Sequence, residues 1–406
     1  MRWVLLFPSA LASAAPFSIQ TPRSQSAQSL CMGWNLWCHL TRKSTGLPGR
    51  VIIVVTMRIR MKDIAADLGV SLMTVSKGLR NEPDIGEATR RRIQKRAKEL
   101  NYLPNVNARS LVTGRSFLVG LIVPDLLHPF FADVARGLSM TLRRQGYFLI
   151  VTSSEEDPEL EGKEIDQLLG RRLDALVIAS ACTNAKAYAR IEASGTPYIF
   201  IDRRFPRDSG VGFVGCDDTQ IGLLATEHLI EMGCKRIAHI RGPKNSAGNG
   251  RLRGYKKALA KHNITLREEY VVEGEMADVD GRRSGAAAAA SLLNLKRRPD
   301  AIFCFNDPLA VGALWMLLDK GLRIPEDVAL IGCGNIHYDP FLRVPLSSID
   351  QHSYQLGESA ALLALDLIQS RDREPARQIL FEPTVVVRAS SQRNSEGLAA
   401  HGLSWR

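Results

Sequence analysis

Residues 61–80 read MKDIAADLGVSLMTVSKGLR, and this stretch decides the fold of the amino-terminal part of the chain. The apolar positions that can share one interior are Ile64, Ala65, Leu68, Val75 and Leu79. Asp63 can complement the start of a first helix. Gly69 supplies a turn that needs a positive φ, and the Ser71 hydroxyl can cap a second helix. The stretch therefore predicts two short helices joined by a tight turn, a helix-turn-helix.

The second helix leaves five side chains pointing outward: Leu72, Met73, Thr74, Ser76 and Lys77. A third helix is predicted over Glu87–Asn101, with Ile93, Ala97 and Leu100 on one stripe and cationic side chains around the rest. An ordinary three-helix bundle with a solvated basic face has the same spacing. The helices alone therefore leave DNA binding open.

The distribution of charge favours DNA binding. Residues 57–116 hold 13 Lys/Arg and six Asp/Glu, whereas the 290 residues after them hold 35 and 36. Residues 1–56 hold five basic and no acidic residues, so the net charge of +11 in this 406-residue chain comes from its amino-terminal part. A small basic module on a larger neutral domain is typical of a nucleic-acid reader joined to a second function.

The chain leaves the third helix at Tyr102-Leu103-Pro104-Asn105, because Pro104 disfavours the α conformation of the residue before it. Residues 106–112 (VNARSLV) then predict a short helix that is marginal in water by itself. Such a segment would form when it docks against something, for example DNA.

From Phe117 onward, apolar strands alternate with helical stretches. Strands are predicted at 118–123, 147–152, 175–179, 198–201, 212–215, 236–240, 301–305 and 328–332, with helices at 130–145, 161–171, 219–232, 251–262, 281–295 and 307–320. Near-continuous apolar strands between amphipathic helices indicate parallel sheets covered on both faces. Eight strands exceed one compact half, so the pattern predicts two α/β lobes with doubly wound sheets.

Polar residues collect at the carboxyl ends of these strands, where doubly wound sheets bind ligands. Asp125 follows the first strand, Asp202-Arg203 follows Ile201, and Asn306-Asp307 follows Phe305. Phe130 begins the first helix of the body and can offer an aromatic face. Polar groups and a ring that converge from two lobes suit a small polar ligand such as a sugar. The alternative is that each carboxylate caps a helix and that the phenylalanine belongs to the core.

Residues 61–116 resemble the DNA-binding headpiece of the LacI/GalR (lactose-repressor) family in the order and spacing of GVSLMTVSK, EATRRRI, LNYLPN and ARSLVTGR. The body carries the same resemblance in VPDLLHPFF, YIFIDRRF, DAIFCFNDPLAVGAL and GLRIPEDVALIG, so the match runs from about Arg58 to Arg393. It implies that Leu72, Met73 and Lys77 contact base edges. It further implies that the phosphates are held by Ser71, Thr74, Ser76 and Asn105, that Ala108 adds a hinge contact, and that Leu111 wedges between base pairs from the minor groove.

The resemblance also implies effector contacts for Phe130, Arg203, Asn306 and Asp307, and the strand ends add Asp125 and Asp202 to the predicted effector site. Three departures from the family pattern bear on function. Gly78 replaces a branched apolar residue and should weaken the recognition helix by about 1 kcal/mol relative to alanine. Leu223 stands where we expect an arginine in Gly222-Leu223-Leu224-Ala225, and Gly334 stands where the family has an aspartate. Without those two groups, we expect an effector that is less typical, weakly held or absent.

Residues 1–56 leave three interpretations open. Arg2, an apolar run and Ala12-Ser13-Ala14 imitate an export signal, although Pro8 interrupts the run. A disordered tail is the second interpretation. The third, which we prefer, is translated upstream sequence with the true start at Met57, because the headpiece of this family begins near the start of the chain.

The other function classes receive little support from the sequence. Seven scattered cysteines and eight dispersed histidines have no metal-ligand spacing, so we expect reduced thiols, no metal and no cofactor. No nucleophile elbow, phosphate loop or dinucleotide fingerprint indicates an enzyme. An exported periplasmic solute-binding protein is the remaining alternative, and the basic residues 61–114 argue against it.

We therefore predict an all-α helix-turn-helix headpiece followed by a two-lobed, periplasmic-binding-protein-like α/β domain. The predicted segments are an extension (1–56), a headpiece (57–103), a hinge linker (104–116), the two-lobed domain (117–392) and a tail (393–406). Lobe 1 is expected at about 117–200 and 353–378, and lobe 2 at about 201–345 and 379–392. The expected function is a cytoplasmic transcription repressor that binds a double-stranded DNA operator as a homodimer under control of a small-molecule, sugar-like effector, without a membrane partner.

Overall fold

A computed structural model describes residues 4–8, 42–43, 50–54, 59–103, 110, 113–181, 186–204, 211–274, 281–370 and 377–393. The chain divides into two compact units, Met1–Asn105 and Val106–Arg406. The predicted hinge contacts Asn105, Ala108 and Leu111 lie outside the described residues.

The first unit begins with three short strands in one antiparallel sheet. They are β1 (Val4–Pro8), β2 (Arg42–Lys43) and β3 (Arg50–Val54), in the order β1-β3-β2. No secondary structure is predicted from the sequence in residues 1–56, so these three strands are unexpected.

Three helices follow, at the places that the sequence predicts. They are α1 (Met61–Leu68), α2 (Leu72–Leu79) and α3 (Glu87–Glu99). Five buried side chains form their common core: Ile64, Ala65, Val75, Ile93 and Ala97. A core of this size buries few side chains in total, so each of them carries a large share of the headpiece's hydrophobic stabilisation.

The second unit contains two six-stranded sheets, which define the two lobes. The sheet of lobe 1 has the order β14-β8-β7-β6-β4-β5, and all of its strand pairs are parallel. Its strands are β4 (Leu118–Val123), β5 (Phe148–Ser153), β6 (Ala175–Ile178), β7 (Tyr198–Ile201), β8 (Gly212–Cys216) and β14 (Gln378–Phe381). Helices α4 (Pro129–Arg144), α5 (Pro158–Gly170), α6 (Lys186–Ser194) and α11 (Ser353–Gln369) belong to this lobe.

Successive residues of β4 face the two sides of the sheet, as the two-residue period of a strand requires. Leu121 packs in the core cluster that contains α4 and α11, whereas Ile122 packs in the opposite cluster with α5. Both faces of the sheet are therefore buried, which explains why its strands read as continuous apolar runs.

The sheet of lobe 2 has the order β10-β9-β11-β12-β13-β15 and is parallel except for the edge strand β15. Its strands are β9 (Ile237–Arg241), β10 (Val271–Glu273), β11 (Ala301–Cys304), β12 (Ala329–Cys333), β13 (Ser347–Asp350) and β15 (Thr384–Val386). Helices α7 (Asp218–Glu231), α8 (Ser246–Lys261), α9 (Gly281–Leu293) and α10 (Asp307–Asp319) pack on it.

The sheets correct the lobe boundaries that the sequence analysis predicts. β8 continues the lobe 1 sheet beyond residue 201, because Phe213 pairs in register with Phe200. β14, at residues 378–381, lies beside β8 in the same sheet rather than in lobe 2. The chain therefore passes between the lobes after Cys216, after Asp350 and between Phe381 and Thr384.

Three helix pairs cross at glycines that let the two backbones touch. A Cβ atom built on Gly222 of α7 would lie 2.0 Å from the Arg251 carbonyl oxygen of α8, and one on Gly254 of α8 would lie 2.1 Å from the Thr219 oxygen of α7. The pairs α4–α11 and α9–α10 have the same arrangement at Gly137, Gly357, Gly285 and Gly312. Each crossing fixes the distance between two helices that cover the same sheet.

Candidate DNA interface and effector cleft

The helix-turn-helix geometry is fixed by two local features. Gly69 has φ +66°, the left-handed conformation that the turn requires. The Ser71 hydroxyl accepts a hydrogen bond from the Thr74 backbone N–H at 3.0 Å, which satisfies one free donor at the start of α2. The predicted turn and N-cap are therefore confirmed.

Helix α2 divides into an inner and an outer face. Val75 is fully buried, whereas the side chains of Leu72 and Met73 are 51% and 63% exposed at the first turn. Thr74, Ser76 and Lys77 are partly exposed. Two large apolar side chains exposed together at a helix start are suited to contact with another molecule, and thymine methyl groups offer an apolar partner in the major groove.

Two of the predicted DNA contacts are already engaged within the headpiece. Lys77 forms an ion pair with Asp84, and this hydrogen bond raises the pKa of the Lys77 ammonium group. The Ser76 hydroxyl accepts a hydrogen bond from Arg80 at 2.6 Å, and Arg80 also bonds Glu82 at 2.8 Å. A phosphate or base that binds Lys77 must therefore compete with Asp84.

Gly78 has a packing role that the sequence analysis does not anticipate. It is buried, and a Cβ atom at this position would lie 2.6 Å from Cδ1 of Ile93 in α3. Because Ile93 fills the space of the missing side chain, the departure from the family pattern is compensated by a neighbouring helix. The simple loss of helix propensity predicted from the sequence is thus only part of the effect.

In the body, the strand ends meet around a cavity of about 20 Å³, which has room for about one water molecule. Four of the six predicted effector residues line this cavity: Phe130, Asp202, Arg203 and Asn306. The lining also includes His128, Arg251 and Gln351, which the sequence analysis does not single out. These side chains come from both lobes and from the segment that connects them.

A hydrogen bond joins the two lobes directly across this cavity. His128 Nε2 of lobe 1 lies 3.2 Å from Asn306 Nδ2 of lobe 2, and the Asn306 Oδ1 atom caps α10 by accepting from the Leu309 N–H at 3.0 Å. Burial lowers the pKa of His128 to about 4. The imidazole is therefore neutral at pH 7, so Nε2 can accept a hydrogen bond from the asparagine amide.

Asp202 and Arg203 are held by separate partners. Asp202 has φ +61° and accepts a hydrogen bond from Gln351 Nε2 at 3.2 Å, on the segment that links β13 to α11. Arg203 donates to both carboxylate oxygens of Glu156, at 2.7 and 2.5 Å, and is almost fully buried. This bidentate pair fixes the orientation of the guanidinium group.

The structure corrects the expectation that the cleft lacks a further arginine. Arg251 lines the cavity, donates to the Phe305 carbonyl oxygen at 2.6 Å and stacks 4.4 Å from the Phe305 ring centroid. Its Nε atom donates to Asp218 at 3.2 Å, and burial raises the pKa of the Asp218 carboxyl group to about 7. Leu223 lies where α7 contacts α8 and does not line the cavity. The leucine at this position therefore leaves the cleft with an arginine, Arg251. The signal that could have found Arg251 is the sequence Gly250-Arg251-Leu252 at the following helix.

Asp125 and Asp307 are satisfied by local donors and do not line the cavity. Asp125 accepts from the Leu127 N–H at 2.7 Å, which closes the turn before α4. Asp307 is fully buried and accepts from the Ser348 hydroxyl at 2.7 Å and from the Ile336 N–H at 3.2 Å. Neither carboxylate caps the next helix, as the alternative interpretation expected, because His128 caps α4 and Asn306 caps α10.

The Gly334 departure has a backbone cause. Gly334 has φ +130°, which L side chains rarely adopt, and a Cβ atom there would lie 3.0 Å from Asp307 Oδ2. A carboxylate therefore cannot simply be restored at this position. Its absence from the cleft, as predicted from the sequence, is built into the local fold.

None of the helices in the described part of the chain combines the length and hydropathy needed to cross a bilayer.

Two protein-family models match this chain, one over the headpiece and one over the two-lobed domain. Residues 60–105 match the model of bacterial regulatory proteins of the lacI family, and residues 116–387 match the model of periplasmic binding proteins and the sugar-binding domain of the LacI family. The repressor CytR of Escherichia coli (strain K12) is 31% identical over 333 residues, which are 82% of this chain and 96% of CytR.

Solved structures show the same fold. The transcriptional regulator CelR, in complex with cellobiose, aligns with a TM-score of 0.63 and 28% identity over 82% of this chain and 100% of CelR. The lac repressor dimer bound to operator and an anti-inducer aligns with a TM-score of 0.73 over 83% of this chain and 100% of that one, at 24% identity.

A helix-turn-helix headpiece in one chain with a two-lobed ligand-binding fold defines a transcription regulator. The chain belongs to the LacI family of bacterial regulatory proteins.

Proposed function

We propose that this regulator represses transcription by binding a near-palindromic operator as a homodimer in the cytoplasm, without catalysing a reaction. The observation that carries the proposal is the first turn of α2, where Leu72 and Met73 are largely exposed on a helix that Ser71 and Val75 hold in place. The relative CytR is itself named a transcriptional repressor.

Specificity and affinity have different sources in this proposal. Leu72, Met73 and Lys77 contact base edges, and Ser71, Thr74 and Ser76 position the helix on phosphates. The hinge residues Asn105, Ala108 and Leu111 complete the interface when the segment folds on DNA. The basic headpiece adds a salt-dependent attraction to any duplex.

A small-molecule effector held between the lobes regulates the DNA affinity. The lobes are connected by three chain crossings and by the His128–Asn306 hydrogen bond, so a ligand that enters between them changes their relative position. The ligand can change the free energy of DNA binding only by the difference between its binding free energies to the two lobe arrangements. Such coupling free energies are typically about 1–3 kcal/mol. The solved complex of the similar regulator CelR with cellobiose supports a small-molecule effector.

Homodimer formation is supported by large apolar side chains on the surface of both lobes. In lobe 2, Phe341 is 77% exposed and Trp315 is 60% exposed, and lobe 1 exposes Leu127 and Phe148. Exposed apolar groups of this size are typical of association surfaces. A two-fold dimer presents two headpieces, which matches the symmetry of a palindromic operator.

An exported solute-binding protein does not agree with these findings. The match to the lacI regulatory family covers residues 60–105, and the curated relative over most of the chain is a repressor.

Selection of duplexes from a random oligonucleotide pool tests the proposal. The full-length protein should enrich a sequence with two inverted half-sites, and the purified protein should bind it more tightly than a scrambled duplex. Failure to enrich any sequence, even at low ionic strength, would contradict the proposal.

A further inference from the structure

A second and much larger cavity opens between the lobes. Its volume is about 600 Å³, compared with about 20 Å³ for the cavity around Asn306. It lies between the carboxyl ends of β6, β7 and β8 on one side and the amino-terminal ends of α7 and α8 on the other. Small-molecule pockets have volumes of about 300–1,000 Å³. The volume of this cavity therefore accommodates a ligand of metabolite size.

The charged side chains of this cavity are mostly basic. Among its lining residues, Arg203 is neutralised by Glu156 and Asp218 is paired with Arg251. The charged groups that are left are the cations Arg204, Lys244 and Arg253 and the single carboxylate Asp217. Asp217 is used as the N-cap of α7, where it accepts from the Thr219 N–H at 2.8 Å.

Arg204 presents the cavity with a fixed guanidinium group from lobe 1. The group stacks 4.4 Å from the Phe213 ring centroid and donates to Gln378 Oε1 at 3.0 Å, which uses one of its five N–H donors. The Arg204 backbone N–H donates to the Ser246 hydroxyl at 2.8 Å, so this residue touches the first turn of α8 in lobe 2.

Lys244 and Arg253 provide cations from lobe 2. Lys244 is 73% exposed and lies 3.7 Å from Glu273, a distance at which the ion pair is weak and solvated. Arg253 is exposed on α8 and forms no ion pair within the described ranges. Lys244 precedes the amino-terminal end of α8, whose partial positive charge acts in the same direction, and Arg253 lies further along the same helix.

We propose that this cavity binds the phosphate group of the effector, and that the effector is a phosphorylated small molecule rather than a neutral sugar. Three cations in one cavity, together with a helix start, favour a dianionic group there, and charge-assisted hydrogen bonds are the stronger ones. The inference rests on the proposed function, because it assigns the chemistry of the same regulator's effector.

Isothermal titration of the full-length protein with matched ligand pairs tests this inference. The probes are glucose and glucose 6-phosphate, ribose and ribose 5-phosphate, and inorganic phosphate alone. At least one phosphorylated sugar should bind at least tenfold more tightly than its neutral partner. In the double variant Lys244→Gln/Arg253→Gln, that affinity should fall at least tenfold.

Lys235→Gln is the matched control, because this exposed lysine precedes the opposite end of β9 and should leave ligand affinity unchanged. Equal affinity for the members of each pair, no binding of either sugar phosphate at about 1 mM, or unchanged binding by the double variant would overturn the inference. Affinity for the selected duplex without ligand is measured on the same preparations. If the protein does not bind the duplex, the proposed function as a DNA-binding regulator is wrong. If it binds the duplex but not the sugar phosphates, only the proposed phosphate site is wrong.

Discussion

Gly78 shows how one residue connects the recognition helix to the core of the headpiece. Its missing side chain leaves space on α2 that Cδ1 of Ile93 occupies. Alanine at position 78 would gain about 1 kcal/mol of helix propensity, whereas an additional methyl group in a packed core costs about 1–3 kcal/mol. The two effects oppose each other, and the fully buried Ile93 has little freedom to move.

A double-mutant cycle separates these effects. Gly78→Ala should destabilise the headpiece by about 1 kcal/mol, and Ile93→Val by about 0.5–1.5 kcal/mol. Because valine lacks Cδ1, the double variant should be more stable than the sum of the single changes by about 1–2 kcal/mol. Amide hydrogen exchange of α2 and α3 in the full-length protein measures all three. Additive changes would show that the glycine and isoleucine are not packed as described.

The Lys77–Asp84 ion pair leads to a second prediction at this scale. In Asp84→Asn, Lys77 is released from its partner and a negative charge near the phosphates is lost. We expect operator affinity to increase about two- to fivefold, because the exposed ion pair that Lys77 gives up is weak and screened by solvent. Glu99→Gln, which alters an exposed ion pair on α3, is the control. Fluorescence anisotropy checks both variants, and a weaker operator complex in Asp84→Asn would count against Lys77 as a DNA contact.

At the scale of the elements, the glycine crossings determine how closely the helices cover the sheets. Gly254→Ala places a methyl group about 2.1 Å from the Thr219 oxygen, a backbone atom that cannot move without shifting α7. We expect a loss of about 3 kcal/mol or more in unfolding free energy. Gly162→Ala is the matched control, because nothing lies within 4 Å of that position in α5. The control should stabilise by about 0.5–1 kcal/mol, and urea unfolding compares the two. Equal effects would mean that α7 and α8 do not cross at the glycine.

The bounds of a strand can be predicted from the sequence where both faces of the strand are buried. The strands Leu118–Val123 and Tyr198–Ile201 have the predicted bounds, because both faces are covered and every residue is apolar. The strand β13 (Ser347–Asp350) was missed because its serines bond buried groups and give no apolar signal. Helices α6 and α11 were also absent from the predicted elements.

The candidate site could be predicted in position but not in detail. Parallel topology brings strand ends together, so Asp202 and Asn306 lie at one cavity as expected. Whether an aspartate at a strand end faces a ligand or closes a turn depends on the hydrogen-bond donors that the fold brings near it, which the sequence does not reveal. Asp125 and Asp307 are predicted to face the cleft, but local donors hold both carboxylates elsewhere. Arg251 was missed because its burial depends on the distant carboxylate of Asp218.

A palindromic operator with two half-sites requires a dimeric regulator. If the dimer interface that we propose includes the exposed Phe341, Phe341→Asp should raise the dimer dissociation constant about 100-fold or more, because the charge would enter a two-fold interface twice. The conservative variant Phe341→Leu keeps the apolar surface and should remain dimeric. Analytical ultracentrifugation distinguishes the two variants. A dimer of unchanged affinity in Phe341→Asp would place the interface elsewhere.

Sequence recognition by α2 is tested by the affinity of the full-length protein for its selected duplex and for a scrambled duplex at the same salt concentration. If α2 reads the sequence, the wild type should prefer the selected duplex about 1,000-fold or more. Leu72→Ala/Met73→Ala should lose most of that preference and retain the salt-dependent affinity for any DNA. Equal affinity of the wild type for both duplexes would contradict the account.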